Sequence, residues 1–279
     1  MLAFGLLVGA MGYLFGEFTG AGPAGSFAAI LFAGIAAFGT YWYSDRIVLA
    51  ASGAKPVDPG RHPHLVHSIE GLALAAGLPV PRIFTIDDSA PNAFATGRDP
   101  KNAAIAVTTG LIDKLDRLEL EGVLAHEMSH IANFDIRMTT LAGVMVGSIA
   151  LLSDWMLRSL RWGMWSGRGR RSSGAGPLML VAVVFAVLAP IAAQFMRFAI
   201  SRQREYLADA NGALLTRFPE GLARALSKMS ADTDPLEVAN RATAPLYIVN
   251  PLVDHERGRA GLFDTHPPID ERIRRLRAM

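Results

Sequence analysis

No cysteine occurs anywhere in the 279 residues. Disulfides and thiolate metal sites are thereby excluded, so any metal held by this chain is bound through histidine and carboxylate. A thiol-free chain also suits a reducing compartment. Charge is scarce as well: 19% of residues are charged against 51% hydrophobic, and the mean hydropathy is positive at +0.28. That is more apolar than a soluble domain requires and points to a membrane protein. A one-signed surface is missing too. Lys and Arg number 27 against 25 Asp and Glu, a net charge of +2, and the arginines gather beside apolar runs, as membrane-flanking charges do. Nucleic acid is therefore not an expected partner.

What is abundant is the long apolar run. Leu2 to Phe18 is almost wholly apolar, and after a turn over Glu17 to Gly25, Ser26 to Tyr43 is apolar again, ending in Tyr41-Trp42-Tyr43 at interface position. The pair reads as a transmembrane hairpin, residues 1–44. The first run lacks the Lys/Arg-rich start of a cleaved signal peptide. Gly5 with Gly9 and Gly12 with Gly16 are small-residue pairs that let such helices approach closely. Arg46, Lys55 and Arg61 follow the second run while the intervening loop has no Lys or Arg, so the segment after Tyr43 is expected to face the cytoplasm. Met138 to Leu152 and Pro177 to Ile200 form a second apolar pair around an Arg-, Gly- and Ser-rich loop, Arg161 to Gly176. Residues 138–200 are expected to cross the membrane twice, with a partly embedded hairpin as the alternative, because the Arg-rich loop opposes the positive-inside bias.

Two stretches are left for a water-exposed domain, 45–137 and 201–279. In the first, Pro63 to Ala76 reads as a helix stopped by Gly77, and Pro81 to Ile86 as a strand. Asn92 to Gly97, a turn at Arg98 to Asn102, and Ala103 to Thr108 read as two antiparallel strands. An exposed edge in such a pair can hold an extended peptide through main-chain hydrogen bonds. His62, His64 and His67 crowd the first helix without a carboxylate at a suggestive spacing, and read as an ordinary surface. Ser230 to Gly261 is polar and expected to be irregular, and Ile269 to Arg277 reads as a final helix.

The densest chemistry lies in His126-Glu127-Met128-Ser129-His130. Two imidazoles four positions apart on a helix lie one turn above each other and can converge on one ion, and Glu127 stands beside the first. A thiol-free site of this type suits Zn²⁺, with one more ligand and an open position for water, whose proton the spare carboxylate can take. Chance alone yields such a match in a chain of this composition about one time in a hundred. Leu115, Leu118, Val123 and Leu124 supply an apolar face, whereas Asp113, Lys114, Asp116, Arg117, Glu119 and Glu121 make the opposite face watery. Asn133 and Ile136 occupy the Gly and His places of the extended three-histidine motif, so the third ligand comes from elsewhere. Ser201 to Ala210 offers Glu205 and Asp209 on one helical face: one can complete the metal triad, the other can brace a ligating histidine, and spacing does not choose between them. His130 lies within about 16 Å of Leu141 along a helix, which tethers the reaction centre near the membrane.

These motifs together resemble the HtpX-type membrane metallopeptidases, within the wider family that includes the CAAX prenyl proteases. The residues that carry the resemblance are Asn92 to Gly97, His126 to Asn133, Ser201 to Asp209, Tyr247 to Pro251 and Thr265 to Ile273. The resemblance implies one Zn²⁺ per chain, with His126, His130 and Glu205 as ligands and Glu127 as the catalytic carboxylate. It implies that Asp209 and Asn133 brace this set and that the strand Asn92, Ala93, Phe94, Ala95, Thr96 and Gly97 holds substrate. It further implies that His266 and Arg272 reach the site to assist substrate or oxyanion. Phe134 departs from the pattern, since relatives often carry a small residue there, and this touches the helix exit. The expected architecture is an α+β membrane protein, mainly α-helical, with transmembrane helices and a zincin-like catalytic domain holding a small antiparallel β-sheet. The expected activity is cleavage of cytoplasmic parts of misfolded membrane proteins or unfolded polypeptides at the lipid bilayer of the bacterial inner membrane. A prenyl-peptide processing enzyme and a non-catalytic zinc-containing scaffold or holdase are the alternatives.

Overall fold

The computed structural model describes residues 42–140, 202–239, 243–249 and 267–279, with isolated positions at 27, 31 and 39. The described residues from Ser44 onward fall into one compact unit, which contains every element described below. The first apolar pair, the Arg-rich loop and His266 lie wholly or almost wholly outside the described residues, as does the second apolar pair. Among the described residues no helix is long and apolar enough to cross a membrane.

In chain order the elements are α1 (Ser44–Ala51), β1 (Lys55–Pro56), α2 (Pro63–Ala76), β2 (Arg82–Ile86), β3 (Ala93–Thr96), β4 (Ala104–Thr108), α3 (Thr109–Lys114), α4 (Arg117–Ala132), α5 (Arg202–Thr216), α6 (Pro219–Ala231) and α7 (Ile269–Arg277). Short 3₁₀ turns lie at Pro100–Asn102 and Ala244–Leu246. Helix α2 opens with proline in its first turn and ends at Gly77, whose φ of 66° lets its N–H reach back to the last carbonyls. The final helix has the bounds expected of it.

The sheet corrects one expectation. Its order is β1-β2-β4-β3, and although β1–β2 and β3–β4 are antiparallel, β2 and β4 run parallel, from Arg82 opposite Ala104 to Ile86 opposite Thr108. The sheet is therefore mixed, not antiparallel. The 3₁₀ turn returns the chain along β3, and β4 takes the central place between β3 and β2. A central parallel pair is stable where both faces are covered, and that is the case here. Ala93, Ala95, Ile105 and Val107 enter the larger core with Leu65, Ile69, Val123, Leu124 and Met128. Phe94, Ala104 and Ala106 enter a smaller one with Val48, Ile86 and Tyr247. Alternate residues thus serve opposite cores, following the two-residue strand period.

Helix α4 is the hub, packing against α2, α5, α6 and β3. It begins with a capping box: the Asp116 side chain accepts from the Glu119 N–H while the Glu119 side chain accepts from the Asp116 N–H. The expected watery face is only partly watery. Glu119 is buried, and Leu118, expected on the apolar face, is exposed. The reason is α6, which lays Arg224 (3.1 Å) and Lys228 (2.6 Å) against the Glu119 carboxylate. A buried charge so paired stands in for an apolar contact.

Candidate metal centre and active site

Helix α5 reaches α4 because one face is built from small and functional residues: Glu205, Ala208, Asp209, Gly212 and Ala213 are all buried. Glycine eases the close crossing, since a Cβ on Gly212 would lie 3.0 Å from the His126 backbone nitrogen. This close approach brings a carboxylate from α5 to both imidazoles of α4.

The ε-nitrogens of His126 and His130 stand 3.1 Å apart, with the rings edge to face. Glu205 Oε1 is 3.5 Å from His130 Nε2, and its Oε2 is 3.8 Å from His126 Nε2. Donors placed about 2.1 Å from a tetrahedral ion are separated by about 3.4 Å, so these three have the spacing a small divalent cation demands. Among the described residues they form the one group of three or more His, Cys, Asp and Glu whose ligand atoms all lie within 4.8 Å of each other. His64 and His67 instead border an open depression with Ser68, Arg117 and Glu121.

Each imidazole is backed on its other nitrogen. His126 Nδ1 is 2.9 Å from Asp209 Oδ1. Asp209 is clasped in turn by Arg272, which donates from Nε to Oδ2 (2.9 Å) and from Nη2 to Oδ1 (2.7 Å). Arg272 is completely buried, gives a further hydrogen bond to the Ile248 carbonyl at 3.3 Å, and lies 3.6 Å from Glu205 Oε2. Burial pushes the Asp209 carboxyl up, but the Arg272 guanidinium and His126 outweigh it and hold it at about 2. On the second imidazole, His130 Nδ1 is 3.0 Å from Asp135 Oδ2, and Arg204 pairs with the other oxygen of Asp135.

Glu127 is buried beside the triad. Burial raises its carboxyl above the ordinary carboxylate range, against the pull of the two imidazoles, and the Ala95 N–H of β3 faces it as a donor. Strand β3 is an edge of the sheet by topology. Its outer groups are partly engaged: Ala93 O accepts from Ile248 N (3.1 Å), Asn92 Nδ2 donates to Val249 O (2.8 Å), and Gly97 N donates to Thr140 Oγ1 (3.3 Å). Phe94 turns inward to meet Tyr247 edge to face, and Thr96 Oγ1 lies 3.0 Å from Thr140 Oγ1. Asn133 caps α4 and donates to Ser129 Oγ at 3.2 Å.

Asp135 and Arg204 escaped the sequence reading. Asp135 stands five residues beyond His130, a spacing that on a continuous helix lies about 140° away from it. Phe134 adopts a left-handed φ of 59° and turns the chain so that Asp135 comes back to His130. A glycine or asparagine at 134 advertises such a turn; phenylalanine conceals it.

Two histidines and a glutamate gathered around one point, with a buried spare carboxylate next to the first histidine, define a metallopeptidase-type centre. Comparison with known proteins places the chain within that class. Residues 59–279 match the model of peptidase family M48, and the chain belongs to that family. It is 54% identical over 239 residues to the Protease HtpX homolog of Dictyoglomus thermophilum, covering 86% of this chain and 77% of that protein. It is 45% identical over 281 residues to the Protease HtpX homolog of Thermoanaerobacter pseudethanolicus, covering 100% and 93%. Among solved structures it is similar to the crystal structure of S. mikatae Ste24p, with a TM-score of 0.52 and 23% identity over 95% of this chain. The chain spans 61% of that protein's length, and the likeness is one of fold.

Proposed function

We propose that this chain is a membrane-anchored zinc endopeptidase that cleaves cytoplasmic parts of misfolded or damaged membrane proteins at the bacterial inner membrane. The observation that carries the reading is the convergence of His126 Nε2, His130 Nε2 and the Glu205 carboxylate, with Glu127 buried alongside. An all-nitrogen and oxygen donor set with two imidazoles suits zinc. A zinc ion bound there supplies Lewis acidity to the scissile carbonyl and to water.

The chain's own residues do the rest. Glu127, whose carboxyl is raised by burial, accepts the proton of the attacking water and delivers it to the leaving amine, a double duty that suits a carboxyl shifted toward neutral pH. Asp209 keeps the Nδ1 proton of His126 in place, so Nε2 stays free to ligate. Arg272, completely buried and bonded to Asp209, acts on this orientation and not on substrate directly. His266 is assigned to the oxyanion on the resemblance described above. Strand β3 offers its outer edge to an extended substrate backbone, with Ala95 nearest the reacting carboxylate.

The membrane assignment rests on the apolar runs of residues 2–43 and 138–200. They flank the water-exposed segments 45–137 and 201–279, so substrates that are themselves membrane-inserted meet the site most often. The test compares purified wild type with Glu127→Gln on a membrane-inserted substrate and a soluble unfolded one, in liposomes and with chelator added. Chelator-sensitive cutting by wild type alone, faster on the inserted substrate, is expected. Undiminished cutting by Glu127→Gln removes the peptidase assignment, and equal rates on both substrates remove the membrane-protein preference.

A further inference from the structure

The two imidazoles are held alike but not equally. His126 is 1% exposed at its side chain and leans on Asp209, itself gripped twice by an arginine with no exposure. His130 is 16% exposed at its side chain and leans on Asp135, whose arginine partner, Arg204, is 44% exposed. We propose that Asp135 and Arg204 are a second positioning pair, dedicated to His130, and that this pair is the salt-sensitive one that sets how firmly metal is kept. The inference rests on the metallopeptidase reading of the same site.

The geometry requires Asp135 for this task. A carboxylate at 3.0 Å from His130 Nδ1 keeps the proton on that nitrogen and leaves the Nε2 lone pair turned to His126 and Glu205. Asp135 is 2% exposed, and a carboxylate so enclosed needs a cation. Arg204 supplies it from the position just before Glu205, so a single turn of α5 delivers both the third donor and the counter-charge of the second donor's support. The approach of Asp135 depends on the left-handed Phe134, a conformation that strains a non-glycine residue. Strain retained beside a reactive centre indicates that the turn is held for what it positions.

The location gives the pair its second property. Residues 135–140 are helical and lead directly into the apolar stretch that starts at 138, while Arg204 stands at the beginning of α5, where the chain returns from it. The pair therefore ties the exit of the long insertion to its re-entry.

The experiment uses the full chain in detergent, loaded with Co²⁺ or Zn²⁺. It reads the Co²⁺ visible spectrum, metal release to a competing chelator at low and high salt, and helical content by circular dichroism. Asp135→Asn is expected to weaken metal binding about 10- to 100-fold with an altered Co²⁺ spectrum. Arg204→Gln is expected to accelerate release several-fold at low salt and to abolish the salt dependence that wild type shows, and Arg204→Lys to restore part of both. Asp209→Asn provides the scale for a buried support and should leave the salt dependence in place. Wild-type affinity and spectrum in Asp135→Asn overturn the inference, as does an unchanged salt dependence in Arg204→Gln. If Asp135→Asn loses its helical content, the two Arg204 variants decide. A wild-type chain that takes up no metal at all fails the underlying peptidase reading instead, and is distinguished by that result.

Discussion

Glu119 and Glu127 sit two turns apart on the same helix and are equally hidden, at 1% and 2% exposure, yet their surroundings drive them in opposite directions. Burial pushes both carboxyls upward. At Glu119 this is outweighed by Lys228, the Asp116 N–H and Arg224, and the result falls below the ordinary range. At Glu127 the opposing partners are imidazoles and one N–H, with the Glu205 carboxylate adding to the upward push, and burial prevails. The first half of α4 is thus a permanent structural charge matched by cations on α6, and the second half holds a carboxyl poised to change its protonation. Residue type and burial do not separate a functional acid from a structural one; the identity of the partners does.

Four experiments press on this contrast. The largest effect belongs to chemistry: Glu127→Gln is expected to lower kcat by about 10²- to 10⁴-fold while metal content, measured by elemental analysis, stays at the wild-type level. Loss of metal along with activity would blur the division. Glu119→Gln should do the converse, costing about 2 kcal/mol in denaturant unfolding with kcat unchanged, because Arg224 and Lys228 lose their common partner.

The signs of the pH responses should also differ in metal-free protein. Glu119, with a depressed folded pKa, contributes stability that is present above its ordinary value of 4.5 and is lost as pH falls through the lower folded value. Glu127, with a raised one, contributes stability below its ordinary value that is lost as pH rises through the folded value. Metal-free Glu127→Gln should therefore melt above wild type at neutral pH and Glu119→Gln below it; both melting lower would contradict the assigned shifts. The smallest effect is expected at the helix exit, where Phe134→Gly should raise stability by about 1 kcal/mol by relieving the left-handed φ. A loss there would mean that the half-exposed ring is packed productively.

Local signals were legible in the chain, and distant ones were not. Proline and glycine at the ends of α2, the β3–β4 turn, and the bounds of α7 all follow from neighbours in sequence. The spacings within 126–130 and 205–209 likewise place their residues on single helical faces, and α4 and α5 bring those faces together. Other features depend on partners far along the chain. β2 lies parallel to β4, with β3 between them in sequence, so the pairing is not marked by any turn that joins the two strands. Glu119 is buried by α6, a helix with proline in its first turn that the sequence reading did not single out. Arg272 meets Asp209 instead of open solvent because α7 returns across the site, with Arg275 stacked 3.9 Å over the Tyr206 ring of α5. Asp135 was hidden by the aromatic residue that makes its turn.

The edge of the sheet carries a last consequence. A bare edge strand invites any extended chain to join it, and fibrous aggregation begins that way. Here the outer side of β3 is stoppered at Ala93 by the backbone of Ile248 and at Gly97 by the hydroxyl of Thr140. Between those two points Ala95 turns its N–H to the Glu127 carboxylate, so that donor is engaged as well. Sheet growth along this edge is thus opposed from three separate parts of the chain, the segments holding Ile248, Thr140 and Glu127.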